Sequence, residues 1–251
     1  MRATVVLTPP MSKRLIAKGV AALPQVMAAL DRGRIVITLG TTNAYVAEEL
    51  LEEPIDRSAF AAGFIDDRWN INARLGEMGE IVLDHGSPIE TSPEETLASL
   101  AAGDVVIKGG NALDPEGVVG VLMGASTGGT VGRYVAACLA RGIEIVTPIS
   151  LSKSVHTSIV ELSREMGIER TEMGMGLPCG IFPLHSHVIT EVDALETLFP
   201  LRALHVASGG VGIGVGAVSL LVEGEAAAVR EADTLIQSLR NEAGIELAGR
   251  K

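Results

Sequence analysis

Three short stretches carry residue types that could do chemistry at a shared place. The first, Gly40-Thr41-Thr42-Asn43, follows a β-branched apolar run and precedes a helical pattern. Backbone amides at such a strand-to-helix turn can hold an anion, aided by the positive end of the helix. A plain turn with a good cap would need one polar side chain, and this one spends three. The second, Lys108-Gly109-Gly110-Asn111, ends another apolar run, with Asp114 following in an Asp-Pro-Glu-Gly sequence. Lys108 could neutralise a phosphate or carboxylate and polarise a carbonyl, and Asp114 could move a proton. A solvated turn in which Lys108 pairs with Asp114 is the plainer alternative. The third, Gly124-Ala125-Ser126-Thr127-Gly128-Gly129-Thr130, leads into a helix. It lacks the lysine that a P-loop needs after its last glycine, which disfavours nucleoside triphosphate hydrolysis. Its amides and hydroxyls suit a second anionic group, or else simply cap the helix. Arg133 and Lys153 are placed to add charge.

Two other patterns promise less. Gly209 to Gly216 alternates glycine with Val and Ile, but a strand follows it rather than the helix a dinucleotide fingerprint requires, so it reads as a flexible inter-strand turn. His185 and His187 would share one face of a strand near Cys179. Without a nearby carboxylate or second cysteine this is a weak metal set, and cross-strand polar pairing is the better account, so no metal is expected. No Ser-His-Asp arrangement can be assembled from the chain.

The elements that must position these residues alternate strand and helix. Ser12 to Asp31 has helical spacing, with Ser12 as N-cap, Gly33 as stop and Pro24 as a kink or break. Arg34 to Leu39 predicts a buried strand and Ala44 to Glu53 a helix ended by Pro54. Pro93 to Ala102 predicts a helix capped by Ser92, Asp104 to Lys108 a strand, and Gly109 to Gly129 a long glycine-dense loop. Thr130 to Arg141, Ile143 to Thr147 and Lys153 to Met166 continue as helix, strand and helix. The stretch from Phe60 to Glu90, with Trp69, Asn70 and Asn72 and a β-like Glu80 to Leu83, is expected to be an excursion at the sheet edge. These patterns predict an α/β fold, a mostly parallel open sheet with helices on both faces. Beyond a Met/Gly/Pro-rich linker at 172–183, the order βαββα over 184–251 predicts a small ferredoxin-like α+β layer. The expected domains are therefore 1–171 and 184–251.

Composition excludes several functions. Among 251 residues, 31 are acidic and 20 basic, a formal charge of −11, and aromatics are 3%. Neither the cationic surface that binds a duplex nor the stacking platforms that bind single strands is available, so no nucleic-acid partner is expected. The hydrophobic fraction of 47% is enough to bury a core. Two cysteines, Cys138 and Cys179, argue against a disulfide scaffold and for a reducing compartment. No apolar run reaches the roughly 18 residues a membrane span needs, and the start MRATVVLTPP is too short an apolar stretch for a signal peptide. The expectation is a soluble, cytoplasmic protein with no membrane partner.

The unit GRIVITLGTTNAYVAEEL resembles the first strand, loop and helix of the superfamily that holds ribose-5-phosphate isomerase, glucosamine-6-phosphate deaminase and the CoA transferases. GDVVIKGGNALDPEG followed by VGRYVAACLARGIEIVTPISLSKS is similar to that superfamily's later strand, loop, helix and strand. The resemblance implies phosphate binding on the loop after the first strand. The isomerase's Asp-Gly-Ala-Asp-Glu core reads Lys108-Gly109-Gly110-Asn111-Ala112 here, its Lys-Gly-Gly segment is replaced by Gly124 to Thr130, and a Glu-Asn-Gly nucleophile segment is missing. The fold can thus transfer without either chemistry. The expected ligand is a small anionic metabolite, a phosphosugar or acyl-CoA-like compound. It would be held by Gly40, Thr41, Thr42, Asn43, Gly109, Gly110, Asn111, Ser126, Thr127, Gly128, Gly129 and Thr130, with Lys108 and Asp114 as catalytic candidates and no cofactor. Isomerisation through a carbonyl and a non-catalytic metabolite-binding or regulatory module both stand open. Assembly into homo-oligomers through edges of the C-terminal layer is a third expectation.

Overall fold

A computed structural model describes residues 1–66 and 78–246. Trp69, Asn70 and Asn72 lie outside the described residues. In chain order the elements are β1 (Arg2–Leu7), α1 (Pro9–Ala21), α2 (Pro24–Arg32), β2 (Arg34–Ile37), α3 (Thr41–Leu51), β3 (Ile81–Asp84) and β4 (Ser87–Ile89). There follow α4 (Pro93–Ser99), β5 (Val105–Ile107), β6 (Ala112–Leu113), β7 (Val119–Met123), α5 (Gly129–Arg141), β8 (Glu144–Pro148) and α6 (Ile159–Glu165). The chain continues with β9 (Gly180–Leu184), β10 (His187–Ile189), α7 (Glu191–Leu198), β11 (Leu201–Gly209), β12 (Ala217–Gly224) and α8 (Ala226–Ser238).

The central sheet has the order β10-β8-β5-β2-β3-β4. Its first four strands are parallel neighbours, while β3 pairs antiparallel with both β2 and β4. The sheet is therefore mixed, a correction to the mostly parallel expectation. The reason is local: β3 and β4 are joined by only His85 and Gly86, both at positive φ (51° and 74°). A two-residue turn of that kind closes an antiparallel hairpin, whereas a parallel pair needs a crossover of a dozen residues or more.

Alternation along the central strands divides the core. Ile35 and Ile37 of β2 and Val105 and Ile107 of β5 pack with α1, α2, α3 and α7, while Val36 and Val106 face Val131, Tyr134, Val135 and Cys138 of α5. Helices thus cover both faces, as expected. Pro24 splits the first helical run into α1 and α2. Ser12 is a buried residue inside α1 and not its cap, because Pro9 and Pro10 take the first helical positions, where a missing N–H costs nothing. Ser92 caps α4 in a reciprocal box with Glu95, as its spacing predicts.

The expected loop from Gly109 to Gly129 contains β6 and β7, and β7 pairs with β9, which begins inside the expected linker. The C-terminal elements do follow the order βαββα. Yet β10 joins the central sheet beside β8, and β1, from the start of the chain, pairs with β12 to complete an antiparallel sheet β1-β12-β11. Leu7, Leu220, Val222 and Val229 belong to the same apolar cluster as Leu15 and Ile16 of α1. The core therefore crosses the boundary drawn at 172–183, which corrects the expected ferredoxin-like layer and the two-domain division. No helix among the described residues is long and apolar enough to cross a membrane.

Candidate functional site

The neighbouring parallel strands β2, β5 and β8 end side by side, and the segments leaving them meet in one cavity. Open α/β sheets place ligands at the carboxyl ends of their strands. From β2 the chain runs through Thr38, Leu39 and Gly40 into α3; from β5 it runs through Lys108, Gly109, Gly110 and Asn111; from β8 it reaches Lys153. The Gly124 to Thr130 turn before α5 closes another side. Together they bound a cavity of about 350 Å³.

Its polar lining is positive. Thr41, Thr42 and Asn43 form the first turn of α3 and Gly129, Thr130 and Val131 that of α5, so both helix starts present backbone amides that the helices themselves cannot satisfy. Neither start has a side-chain cap or an acidic residue in its first turn. Gly128, at φ 77°, sits in the left-handed region where a side chain would be strained, which turns the chain tightly into α5. Lys108 is 8% exposed, and its Nζ donates to the Gly109 carbonyl at 3.0 Å. Half-buried Lys153 reaches back from the end of β8, its Nζ donating to the Gly110 carbonyl at 2.7 Å. Gly110 has no room for a side chain, since a Cβ there would lie 2.2 Å from Val119 Cγ1.

Burial lowers the Lys108 ammonium to about 8 against an opposing pull from Glu80. Lys153 is likewise lowered to about 8, by burial first and then by the charges of Lys13 and Lys108. Lys13, half-buried nearby, falls to about 8 through burial and the Arg57 guanidinium. Lys13 and Lys108 thus both disfavour the charge on Lys153, beside a space that no carboxylate lines among the described residues.

Two buried side-chain atoms at the start of α3 lack a hydrogen-bond partner among the described residues: Thr42 Oγ1 and Asn43 Oδ1. Asn43 is fully buried, and its Nδ2 donates to the carbonyls of Thr38 at 2.7 Å and Ile107 at 3.3 Å, joining the ends of β2 and β5. That orientation leaves Oδ1 beside Gly109, where it could accept from a hydroxyl or N–H. The opposite wall is apolar, made by Phe64, Val121, Met123 and Leu177.

Of the residues singled out in the sequence, Gly40, Thr41, Thr42, Asn43, Lys108, Gly109, Gly110, Asn111, Gly128, Gly129 and Thr130 all line this cavity. Ser126 and Thr127 do not; both are exposed on the outside of the turn. Asn111 lines it with a committed side chain, donating to Gly63 O at 2.6 Å and accepting from Leu122 N at 3.0 Å. Asp114 is a correction. It lies outside the lining, 5% exposed, and its carboxylate accepts from the backbone amides of Glu116, Val118 and Ile159. It organises the turn between β6 and β7 and the start of α6, and neither pairs with Lys108 nor is free to move a proton. Arg133 faces Glu80 at 2.9 Å. His187 meets Gln25 at 2.7 Å, and no three His, Cys, Asp or Glu residues among those described gather as a metal site would require.

Sequence reasoning missed the apolar wall. Phe64 and Leu177 come from segments read as an excursion and a linker, and only the return of β9 alongside β7 brings that linker to the cavity. Comparisons with protein-family models, curated proteins and solved structures found no match to this chain.

Proposed function

We propose that this protein binds a small anionic metabolite in the cavity at the ends of β2, β5 and β8. The observation that carries the reading is a contrast of charge. The chain carries −11 overall, yet the ionisable side chains lining the cavity are Lys108 and Lys153, with no carboxylate among the described residues. A phosphate or carboxylate would sit against the starts of α3 and α5, its charge offset by the two ammonium groups. The remainder of the ligand would lie on Phe64, Met123 and Leu177. A hydroxyl or N–H on it would answer the unpartnered Thr42 Oγ1 and Asn43 Oδ1. A phosphosugar or an acyl-CoA-like compound, the classes suggested by the resemblance, is one form such a ligand could take.

An enolising isomerisation would also need a base beside the carbonyl. The lining supplies no carboxylate or histidine among the described residues, and Glu80 is engaged by Arg133 at 2.9 Å and by the Tyr134 hydroxyl at 2.5 Å. This favours binding, with or without a reaction of the lysines themselves, over proton abstraction by a carboxylate.

The test is thermal unfolding at constant ionic strength with inorganic phosphate, sulfate and a panel of phosphosugars. A ligand at about 100 times its Kd stabilises the folded state by about 2.7 kcal/mol, a readily measured shift. Stabilisation by phosphate that is lost in Lys108→Met is the expected result. No shift with any of these anions would overturn the reading.

A further inference from the structure

We infer that Lys108 is an amine nucleophile that forms an imine with a small anionic aldehyde or ketone held in this cavity. The inference rests on the anion-binding reading above and adds to it the class of substrate and a covalent step.

The chain uses lysine sparingly. Of its 20 basic residues only five are lysine, at positions 13, 18, 108, 153 and 251, and the other fifteen are arginine. Two of the five line the cavity. For holding a phosphate or carboxylate alone, arginine offers the better fork of donors; what lysine adds is an amine that can lose its proton and attack. Lys108 is placed for that. Arginines elsewhere in the chain have ionic partners, such as Arg34 on Asp84 at 3.0 Å and Arg133 on Glu80. Lys108 Nζ has no ionic partner within 4 Å among the described residues; its hydrogen bond goes to the Gly109 carbonyl. A neutral amine keeps that bond with one N–H and still has its lone pair to spend.

The charged groups acting on it come from several elements. Glu80 before β3 favours the protonated form of Lys108, but burial outweighs it, and Lys108 in turn lowers Lys153 beyond β8. With its value lowered to about 8, Lys108 holds far more neutral amine near neutral pH than an ordinary lysine does. The anionic end of the substrate, held at the starts of α3 and α5, would fix the carbonyl within the cavity that Lys108 lines.

The step balances without an oxidant or reductant. The Nζ lone pair forms a bond to the carbonyl carbon as the carbon–oxygen π pair moves to oxygen. Protons from nitrogen and solvent convert that oxygen to water, which leaves as the carbon–nitrogen double bond closes. One amine and one carbonyl give one imine and one water.

The full chain is incubated with glycolaldehyde phosphate and sodium cyanoborohydride, which reduces an imine to a stable secondary amine, and in parallel with uncharged glycolaldehyde. Intact mass and peptide mapping of the unaltered protein then locate the adduct. The expected result is one adduct per chain at Lys108, formed about tenfold faster with the phosphorylated aldehyde and slowed by inorganic phosphate. Its rate should rise from pH 6 to 8, while stabilisation by inorganic phosphate weakens above pH 8. Lys108→Arg should lose the adduct, and Lys18→Arg, outside the lining and paired with Glu49 at 3.2 Å, should keep it at position 108; far-UV circular dichroism checks that both fold. Adducts scattered over the surface lysines, equal rates for the two aldehydes, or mapping to Lys153 would overturn the assignment. If phosphate still stabilises the protein in that case, the anion site stands without the imine; if it does not, both readings fall.

Discussion

Helix α3 joins two charged regions that solve opposite problems. At its start, Thr41 to Asn43 face a cavity whose lysines repel one another and lack a facing carboxylate. One to two turns further along, Tyr45, Glu48 and Glu49 enter a cluster in which every charge is met. Arg14 donates to Glu48, to Glu49 at 2.8 Å and to Glu242 at 3.1 Å. Arg57 donates to Glu48 at 2.8 Å and Glu242 at 2.9 Å, and both guanidinium groups lie over the Tyr45 ring, at 5.0 and 4.1 Å. Burial alone would push the Glu48 carboxyl up, but the hydrogen bonds from Arg57 and Arg14 hold it below the usual glutamate range. The difference separates charge used for structure from charge held for a guest. Arginine with carboxylates builds the closed network; lysine without carboxylates lines the open one.

The sharpest way to break that contrast is to unbalance the closed network. Arg14→Leu leaves Glu48, Glu49 and Glu242 short of a partner and should cost about 3 kcal/mol in urea unfolding. Acid should act in the same direction. Glu48 contributes stability above its unfolded pKa, and that contribution is lost as pH falls through its lower folded value.

Removing a cation from the open region should do the reverse. Lys108→Met deletes a buried ammonium and should stabilise the unliganded protein at pH 7 by on the order of 1–2 kcal/mol. The sign follows from linkage. A lysine whose folded value is lowered to about 8 penalises the fold below that pH, and the penalty disappears as pH rises toward the ordinary 10.5. The gap between variant and parent should therefore close between those pH values, as equilibrium unfolding across that range would show.

Smaller effects refine the boundary between the regions. Asp114→Asn removes an acceptor from the β6–β7 turn and should cost about 1 kcal/mol while leaving the phosphate-induced shift intact. A lost shift would return Asp114 to the site. Ser126→Ala and Thr127→Ala, both exposed and outside the lining, should change stability by less than about 0.5 kcal/mol and leave phosphate binding unchanged.

What the sequence made legible is local. The β2–α3 unit, the capped α4 and the glycine turn into α5 each announce themselves within a dozen residues, through β-branched runs, a Ser-x-x-Glu box and positive-φ glycines. That is why most loop residues lining the cavity could be named in advance. Several of the misses are questions of partnership at long range. The pairing of β1 with β12 spans most of the chain, and Arg2 to Leu7 looks like any short apolar strand until its partner is known. The role of Asp114 is hidden because its carboxylate accepts from three backbone amides, and an amide has no letter in the sequence. Lys108 and Lys153 stand 45 positions apart, so their mutual repulsion appears only in three dimensions.

The amide of Asn43, bonded to the carbonyls of Thr38 and Ile107, acts as a staple across two strand ends. With that staple closed, β2 and β5 cannot spread to accommodate a bulkier guest without abandoning hydrogen bonds in a dry interior. Any widening has to come from the side of Phe64 and Leu177, where the walls hang on irregular chain. The anionic end of a ligand would thus be gauged by a rigid template, and its far end by a pliable one.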